Sequence, residues 1–597
     1  MSRSAYVPLG GGLDLVTPTR KVAPGAALSC MNYECPVTGG YRRIDGYTQL
    51  GPVAPGQGPV LGVATFADRH YAIREDVGGG TATLYRLSQD ETSWEAVGNG
   101  LAVGRYELDE GNVYATDTGR CLYGVGGGLP FELMAVPNGA TTYADLQALV
   151  DDLYGSVPDD VTLSASADVL TVTDAQGRAI SGIVVNDKAG TQLVTEADVP
   201  EATTEGDSTT VAIDLSAEDV NTIGEVRFTI GVLPETVLTI PELIGPFRVL
   251  DRAPPGASWI ALHQNHLFLG FDVGSLQFSS IGDPATWNAA TGGAGEIGVG
   301  QQLNGLIKGV GGVLHVLCRD AIKTLRGSSG LDFVLEVTVP GAGTRAYSGQ
   351  SLMTPYFVGE RGITTLEATR RYGDFAPLQA GRSVEPLFAA GGLADRVVAS
   401  SVSREKAQYR VFFDNGTGLY MSSSGITQVE FPDQVAVTHA GEMSSGEEVL
   451  LFGDDQGYVH RLDGGQTFNG TPIRAFITLA YTDLKAPSTR KRFRRAFWDV
   501  RAGSDARMWI QPDFDYGDNQ TGRPRRSPID FLLGGGLWGV DNWSDFNWSV
   551  PTLGQEPLDV SGTGASINFA IFSESDSSPH ELLGYDLQFD VRRNRRG

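Results

Sequence analysis

Val60-Leu61-Gly62-Val63-Ala64-Thr65-Phe66, His70-Tyr71-Ala72-Ile73-Arg74, Thr81-Ala82-Thr83-Leu84-Tyr85-Arg86-Leu87 and Trp94-Glu95-Ala96-Val97 follow one another within about forty residues, with Gly78-Gly79-Gly80 as one of the breaks. Short runs rich in β-branched and aromatic residues, punctuated by turn residues, read as strands, and four strands in this length make one four-stranded unit. A less regular set follows at Arg105-Leu108, Asn112-Thr116, Cys121-Val125 and Phe131-Val136. Similar meanders resume at Trp259-Leu262 with His266-Gly270, at Gly305-Ile307 with Val313-Leu317 and Ala321-Leu325, and at Pro355-Val358 with Gly362-Leu366. Two more begin at Val397-Val398 and at Glu448-Phe452. Sheets with two apolar faces and no helices to cover them are stabilised by stacking radially, which also protects their edges. The expected fold is mainly β, a β-propeller core of six or seven blades. A pair of β-sandwiches is the arrangement the same alternation also allows.

Between residues 137 and 240 the texture changes. Leu146, Leu149, Val150 and Leu153 share the spacing of one helix face, and alternating segments such as Val169-Thr173, Gly182-Val185 and Val211-Leu215 follow. Residues 141–230 carry 17 acidic and 3 basic side chains, a net of 14 of the chain's 26 excess negative charges. This stretch reads as a small acidic α+β insertion.

A formal charge of -26 disfavours tight binding to phosphate backbones and to anionic membranes. The 41% hydrophobic content suits a chain of 597 residues that buries real cores. Cys30, Cys35, Cys121 and Cys318 lack the spacing of a zinc half-site and read as free thiols of a reducing compartment. No segment has the apolar length of a membrane helix, and the opening Met1-Tyr6 runs into glycines rather than into a signal-like apolar core.

The two ends differ from the middle. Gly10-Gly11-Gly12, Pro18, Pro24-Gly25, Asn32-Tyr33-Glu34 and Arg42-Arg43-Ile44-Asp45-Gly46-Tyr47 forbid a long helix and leave too few apolar residues for a separate core. Residues 1–58 therefore read as an extended arm that lies along the rest of the protein or along a neighbouring subunit. From about Tyr481 comes a concentrated basic run, Arg490, Lys491, Arg492, Arg494 and Arg495, and then Phe497-Trp498. Asp513-Phe514-Asp515-Tyr516-Gly517, the tryptophans Trp538, Trp543 and Trp548, and a last strand, Gly584-Val591, precede an arginine-rich tail. The domain reading is thus arm 1–58, first part of the propeller 59–136, insertion 137–240, remainder of the propeller 241–480, and a β-rich platform or sandwich 481–597.

This order of elements resembles the nozzle, or tail tubular protein B, family of short-tailed bacteriophages and the related head-to-tail stabilisation proteins. Ser279-Ser280-Ile281-Gly282-Asp283-Pro284-Ala285-Thr286-Trp287 is a further matching loop, whereas the acidic insertion matches no motif of the family. The resemblance implies a non-enzymatic structural protein of the virion tail, assembled in the host cytoplasm as a hexameric ring around the DNA-ejection channel. Its implied partners are other copies of itself, the head-to-tail adaptor (connector) and tail fibre or spike proteins. Double-stranded DNA would pass without tight binding, no membrane insertion is implied, and no cofactor or metal is expected.

No Gly-x-Ser-x-Gly elbow, HExxH or phosphate-cradling loop occurs, so no catalytic residue is assigned. Asp513, Asp515 and Asp518 have the residue type for calcium, but Asp and Gly at this density favour a hairpin turn. Ser88-Gln89-Asp90-Glu91-Thr92-Ser93-Trp94 resembles an Asp-box of propeller glycosidases, one residue short and without its glycine. A glycan-binding propeller or a polysaccharide depolymerase is the alternative function. Arg490, Lys491, Arg492, Arg494 and Arg495 are the candidate docking surface, with acidic partner subunits as its target; a solvated strand face and contact with packaged DNA are the other readings of the run.

Overall fold

The computed structural model of the chain describes residues 2–592 apart from 114–119, 137–145, 153–159, 188–191, 206–207, 217–222, 234–235, 240–242, 290–292, 353, 368–380, 503–505, 518–526 and 532–552. In the first sheet, Gln57–Phe66 turns into Arg69–Glu75 through Ala67 and Asp68, both at positive φ, the backbone that a two-residue hairpin needs to match strand twist. Ala82–Leu87 and Trp94–Leu101 complete it. Both faces are apolar. Ala64, Phe66, Tyr71 and Ile73 pack with Leu122, Phe131 and Leu133 on one side, while Val60, Val63 and Ala72 pack with Val437, Val449 and Leu451 on the other.

Six further sheets repeat this plan. The second is Glu107–Asn112, Arg120–Val125 and Phe131–Val136, with Leu243–Val249 as its fourth strand. The third, Trp259–His263, His266–Phe271, Ser275–Phe278 and Gly295–Gly298, opens on the same kind of turn, at Gln264 and Asn265. Leu303–Gly309, Val313–Cys318, Ala321–Arg326 and Val334–Pro340 make the fourth, and the three strands Gln350–Leu352, Thr354–Gly359 and Gly362–Thr365 make the fifth. Val397–Ser403, Gln408–Phe413, Thr417–Ser422 and Gly425–Glu430 form the sixth. The seventh is Val435–Glu442, Glu448–Asp454 and Val459–Leu462, joined by Tyr47–Leu50 from the arm. The first strand of each sheet touches the first strand of the next, and that of the seventh touches that of the first.

The second sheet corrects one expectation. Its fourth strand does not precede the insertion, because residues 137–242 interrupt the sheet between its third and fourth strands. Among its described residues the insertion holds a short α-helix, Leu146–Asp152, a 3-10 turn, Glu196–Asp198, and two four-stranded sheets, so that part is mostly strand. Its core draws only on its own residues, from Leu146 to Leu238.

C-terminal to the seven sheets lie two packed layers. Lys491–Ala502 is flanked by Leu553–Gly564 and His580–Val591, and facing them are Ile473–Leu479, Ile567–Ser575, Ala506–Phe514 and Ser527–Phe531. Trp498, Phe569 and Tyr585 meet between the layers, with ring centroids 4.9–5.1 Å apart.

The arm is stitched through this body. Ser2–Pro8 pairs antiparallel with residues 584–590 of the last strand. Ala27–Met31 lies between Ile473–Leu479 and the sixth sheet, where Met31 pairs with Gln428, and Tyr41 pairs with Leu582. Gly12 has φ +70° and passes so close to Gly425 and Ile426 that a Cβ there would sit 2.5 Å from the Ile426 nitrogen. An ionic network fastens the arm. Lys406 reaches Glu34 (3.2 Å), Asp45 (2.6 Å) and Asp463 (2.9 Å), Arg42 bridges Glu34 and Asp45, and the fully buried Arg410 holds Asp463 at 2.8 Å. No helix among the described residues is long and apolar enough to cross a membrane.

Candidate functional site

The basic run occupies the start of Lys491–Ala502. Strict alternation would bury every second residue, but the register of this strand slips against both neighbours between Phe493 and Arg495. Such a bulge adds one residue to the strand and lets two consecutive side chains share a face. Here it leaves Phe493, Ala496, Trp498 and Val500 inside while Arg492, Arg494 and Arg495 are all exposed. Together with Arg592 they line a surface groove of about 680 Å³, which Asp559 and Gln588 also border.

The charges in the groove are unequally matched. Arg494 donates to Asp590 at 2.6 Å and Arg495 to Asp559 at 2.9 Å, whereas Arg492 and Arg592 make no ion pair among the described residues. Arg490 lies further out, 3.7 Å from Asp515. Lys491 departs from the docking expectation. It is wholly buried, and its ammonium donates to the carbonyls of Ala486, Thr489 and Ala565 at 2.7–3.0 Å. Burial lowers its pKa, and its role is to tie the turn at 486–489 to the chain at Ala565.

A second polar feature escaped the sequence reading. First strands of the seven sheets surround a cavity of about 480 Å³ that carries Arg105, Glu107, Asp109, Glu110, Lys308 and His439. Desolvation raises the pKa of Glu107 and Glu110, opposed by Arg105 and Arg120 respectively. Asp109 takes the Lys308 ammonium at 2.6 Å and the Leu262 amide at 2.7 Å. Arg105 lies over the Tyr347 ring at 3.7 Å and donates to the carbonyls of Val398 and Ala436. The signal was available in Arg105-Tyr106-Glu107-Leu108-Asp109-Glu110, a strand far more charged than the opening strands of the other sheets.

The remaining candidates are structural or lie elsewhere. Asp515 accepts from the amides of Ala565 and Ser566, and Asp513 accepts from the Tyr481 hydroxyl at 2.8 Å. Asp518, Trp538, Trp543 and Trp548 lie outside the described residues. Among the described residues no group of three or more His, Cys, Asp or Glu is arranged to hold a metal ion. Ser88 and Asp90 close a hairpin turn, and the Trp94 indole donates to Pro52. The four cysteines are buried and free.

No protein-family model matches the sequence, and comparison with curated proteins finds no relative. Among solved structures, Raptor from Chaetomium thermophilum is similar at 10% identity and a TM-score of 0.34, over 70% of this chain and 29% of that one. The computationally designed Ika8 protein gives 12% identity and a TM-score of 0.22, over 70% of this chain and 99% of its own. An exo-beta-1,3-galactanase from Phanerochaete chrysosporium gives 9% and 0.19, over 92% and 100%. Overlaps this slight bear on neither fold nor activity.

Proposed function

We propose that the seven sheets are the blades of a β-propeller and that the protein is a structural component of a phage tail, a nozzle-like subunit whose copies form a ring around the DNA-ejection channel. The observation that carries the reading is the way the two ends, whose motifs resemble that family, interlock: the arm supplies strands to the C-terminal layers and closes the seventh sheet. A subunit that must withstand DNA passing under pressure is served by a body locked in this way. Successive contact of the first strands, with return from seventh to first, supports the propeller. The function is mechanical and electrostatic. Rigid sheets form the wall, adaptor and fibre or spike proteins dock on it, and the net charge of -26 disfavours adhesion of DNA.

Light scattering and negative-stain microscopy of the purified protein, alone and with the head-to-tail adaptor, test this. A closed ring with an open bore is expected, and a monomer that ignores the adaptor would refute it. The alternative, a glycan-binding or glycan-cleaving propeller, has one observation in its favour, the carboxylate-bearing central cavity. It predicts retention on host polysaccharide, with new reducing ends if the glycan is cleaved, and loss of that binding in E107Q/E110Q.

A further inference from the structure

We infer that the groove of Arg492, Arg494, Arg495 and Arg592 seats the acidic insertion of a second copy of this chain. The inference rests on the ring reading and names the contact that would build the ring. Four arginines line the groove against Asp559 at its border and Asp590, which pairs with Arg494, so the face keeps an excess of positive charge in a chain that is otherwise strongly acidic. Among the described residues the ionic partners of the basic run are Asp515, Asp559 and Asp590, none of them from the insertion.

The insertion has the opposite imbalance. Its two described cations are consumed internally, Arg178 by Asp160 and Asp174, and Arg227 by Glu225. Asp168, Asp198, Glu201 and Asp214 are exposed and meet no cation among the described residues. Asp168 and Asp214 stand at the same end of one sheet, since Val169 pairs with Asp214 and the Leu215 amide donates to the Asp168 carbonyl at 2.8 Å. With a separate core and an attachment inside the second sheet, the insertion is a module offered by the body rather than part of it.

Arginine suits such a contact because its planar fork can bind carboxylates through two donors, and opposite potentials set register between partners. One patch meeting a different patch on the next copy is a heterologous contact, which propagates head to tail and closes into a ring where the rotation between copies closes.

The test compares wild type, R492E/R495E and D168K/D214K by light scattering at low and high salt, with thermal unfolding as a check that each variant is folded. All four residues are exposed, and R492Q/R495Q is a milder variant should the reversal unfold. Each reversal is expected to weaken assembly roughly tenfold or more, about 1.4 kcal/mol in all, and an equimolar mixture of the two is expected to recover part of it. If wild type assembles and R492E/R495E assembles equally well with the same salt dependence, the inference falls and the ring reading stands. A wild-type monomer under all conditions removes both. Duplex DNA binding that R492E/R495E abolishes while assembly is unchanged would assign the groove to nucleic acid instead.

Discussion

Lys406 donates to Asp45 across 2.6 Å, joining a turn of the sixth sheet to the N-terminal arm over 361 residues of sequence. Both side chains are largely shielded, at 20% and 15% exposure, and each has further partners of opposite sign. Removing one member of such a group leaves the others desolvated and unpaired. Asp45→Asn is expected to lower unfolding stability by about 2–3 kcal/mol, below the full cost of breaking a dry pair because some solvent reaches it. Denaturant titration of both proteins checks this.

Acid acts on two sets of groups. Burial lowers the pKa of His70 and His439 to about 4 and of His580 to about 3. Below pH ~6.5 the unfolded chain binds protons at these sites while the folded protein stays neutral, so stability falls as pH drops from about 6.5 to each folded value. Asp463 is the opposite case. Arg410 and Lys406 hold it at about 2, so its contribution is complete above the ordinary carboxylate pKa and is lost as pH falls from about 4 towards 2. Thermal midpoints are therefore expected to decline from pH 6.5 to 4, with a shallower slope in His580→Gln, and to decline again below pH 4.

Tyr47 closes the seventh sheet from the arm. Its ring lies 5.0–5.3 Å from those of Phe431, Phe452, His460 and Phe468, and its hydroxyl donates to Asp433 at 2.7 Å. Tyr47→Phe is expected to cost about 1 kcal/mol for the hydrogen bond, whereas Tyr47→Ala is expected to cost about 4 kcal/mol through the cavity it leaves. Equal losses in the two variants would show that the ring packing contributes nothing.

Gly12 combines a left-handed backbone with a close approach to the sixth sheet. Gly12→Ala is expected to destabilise by about 2 kcal/mol or more, since neither neighbour is a side chain that can move aside. Gly39, at φ +92° with open space around its Cβ position, supplies the control. Gly39→Ala carries the backbone strain without the clash and is expected to be the milder change.

The local units were readable because they depend on near neighbours. Val60 to Val97 shows its strands and turns directly, and the mainly-β class follows from many such runs. Leu146, Leu149 and Val150 marked the helix, which ends at Asp152 within the described residues. What could not be read depends on distant partners. Nothing near Met31 indicates pairing with Gln428, and the fourth strand of the second sheet waits more than a hundred residues for Leu243. Lys491 looked like one more surface cation because alternation does not say which face is wet, and the bulge that gathers Arg494 with Arg495 shows only in the register against two strands more than fifty residues away in sequence. The charged Arg105 to Glu110 segment was visible but acquires meaning only when seven first strands surround it.

Pairing of Ser2–Pro8 with residues 584–590 also fixes an order of events in time. Ser2–Pro8 has no partner until residues 584–590 have been made, so it stays unpaired while everything between them is synthesised. Closing a loop of this length adds little to the equilibrium cost but makes the contact kinetically late. The two ends are thus expected to join in the final step of folding, and until then the outer edge of the last strand stays open to pairing with another chain.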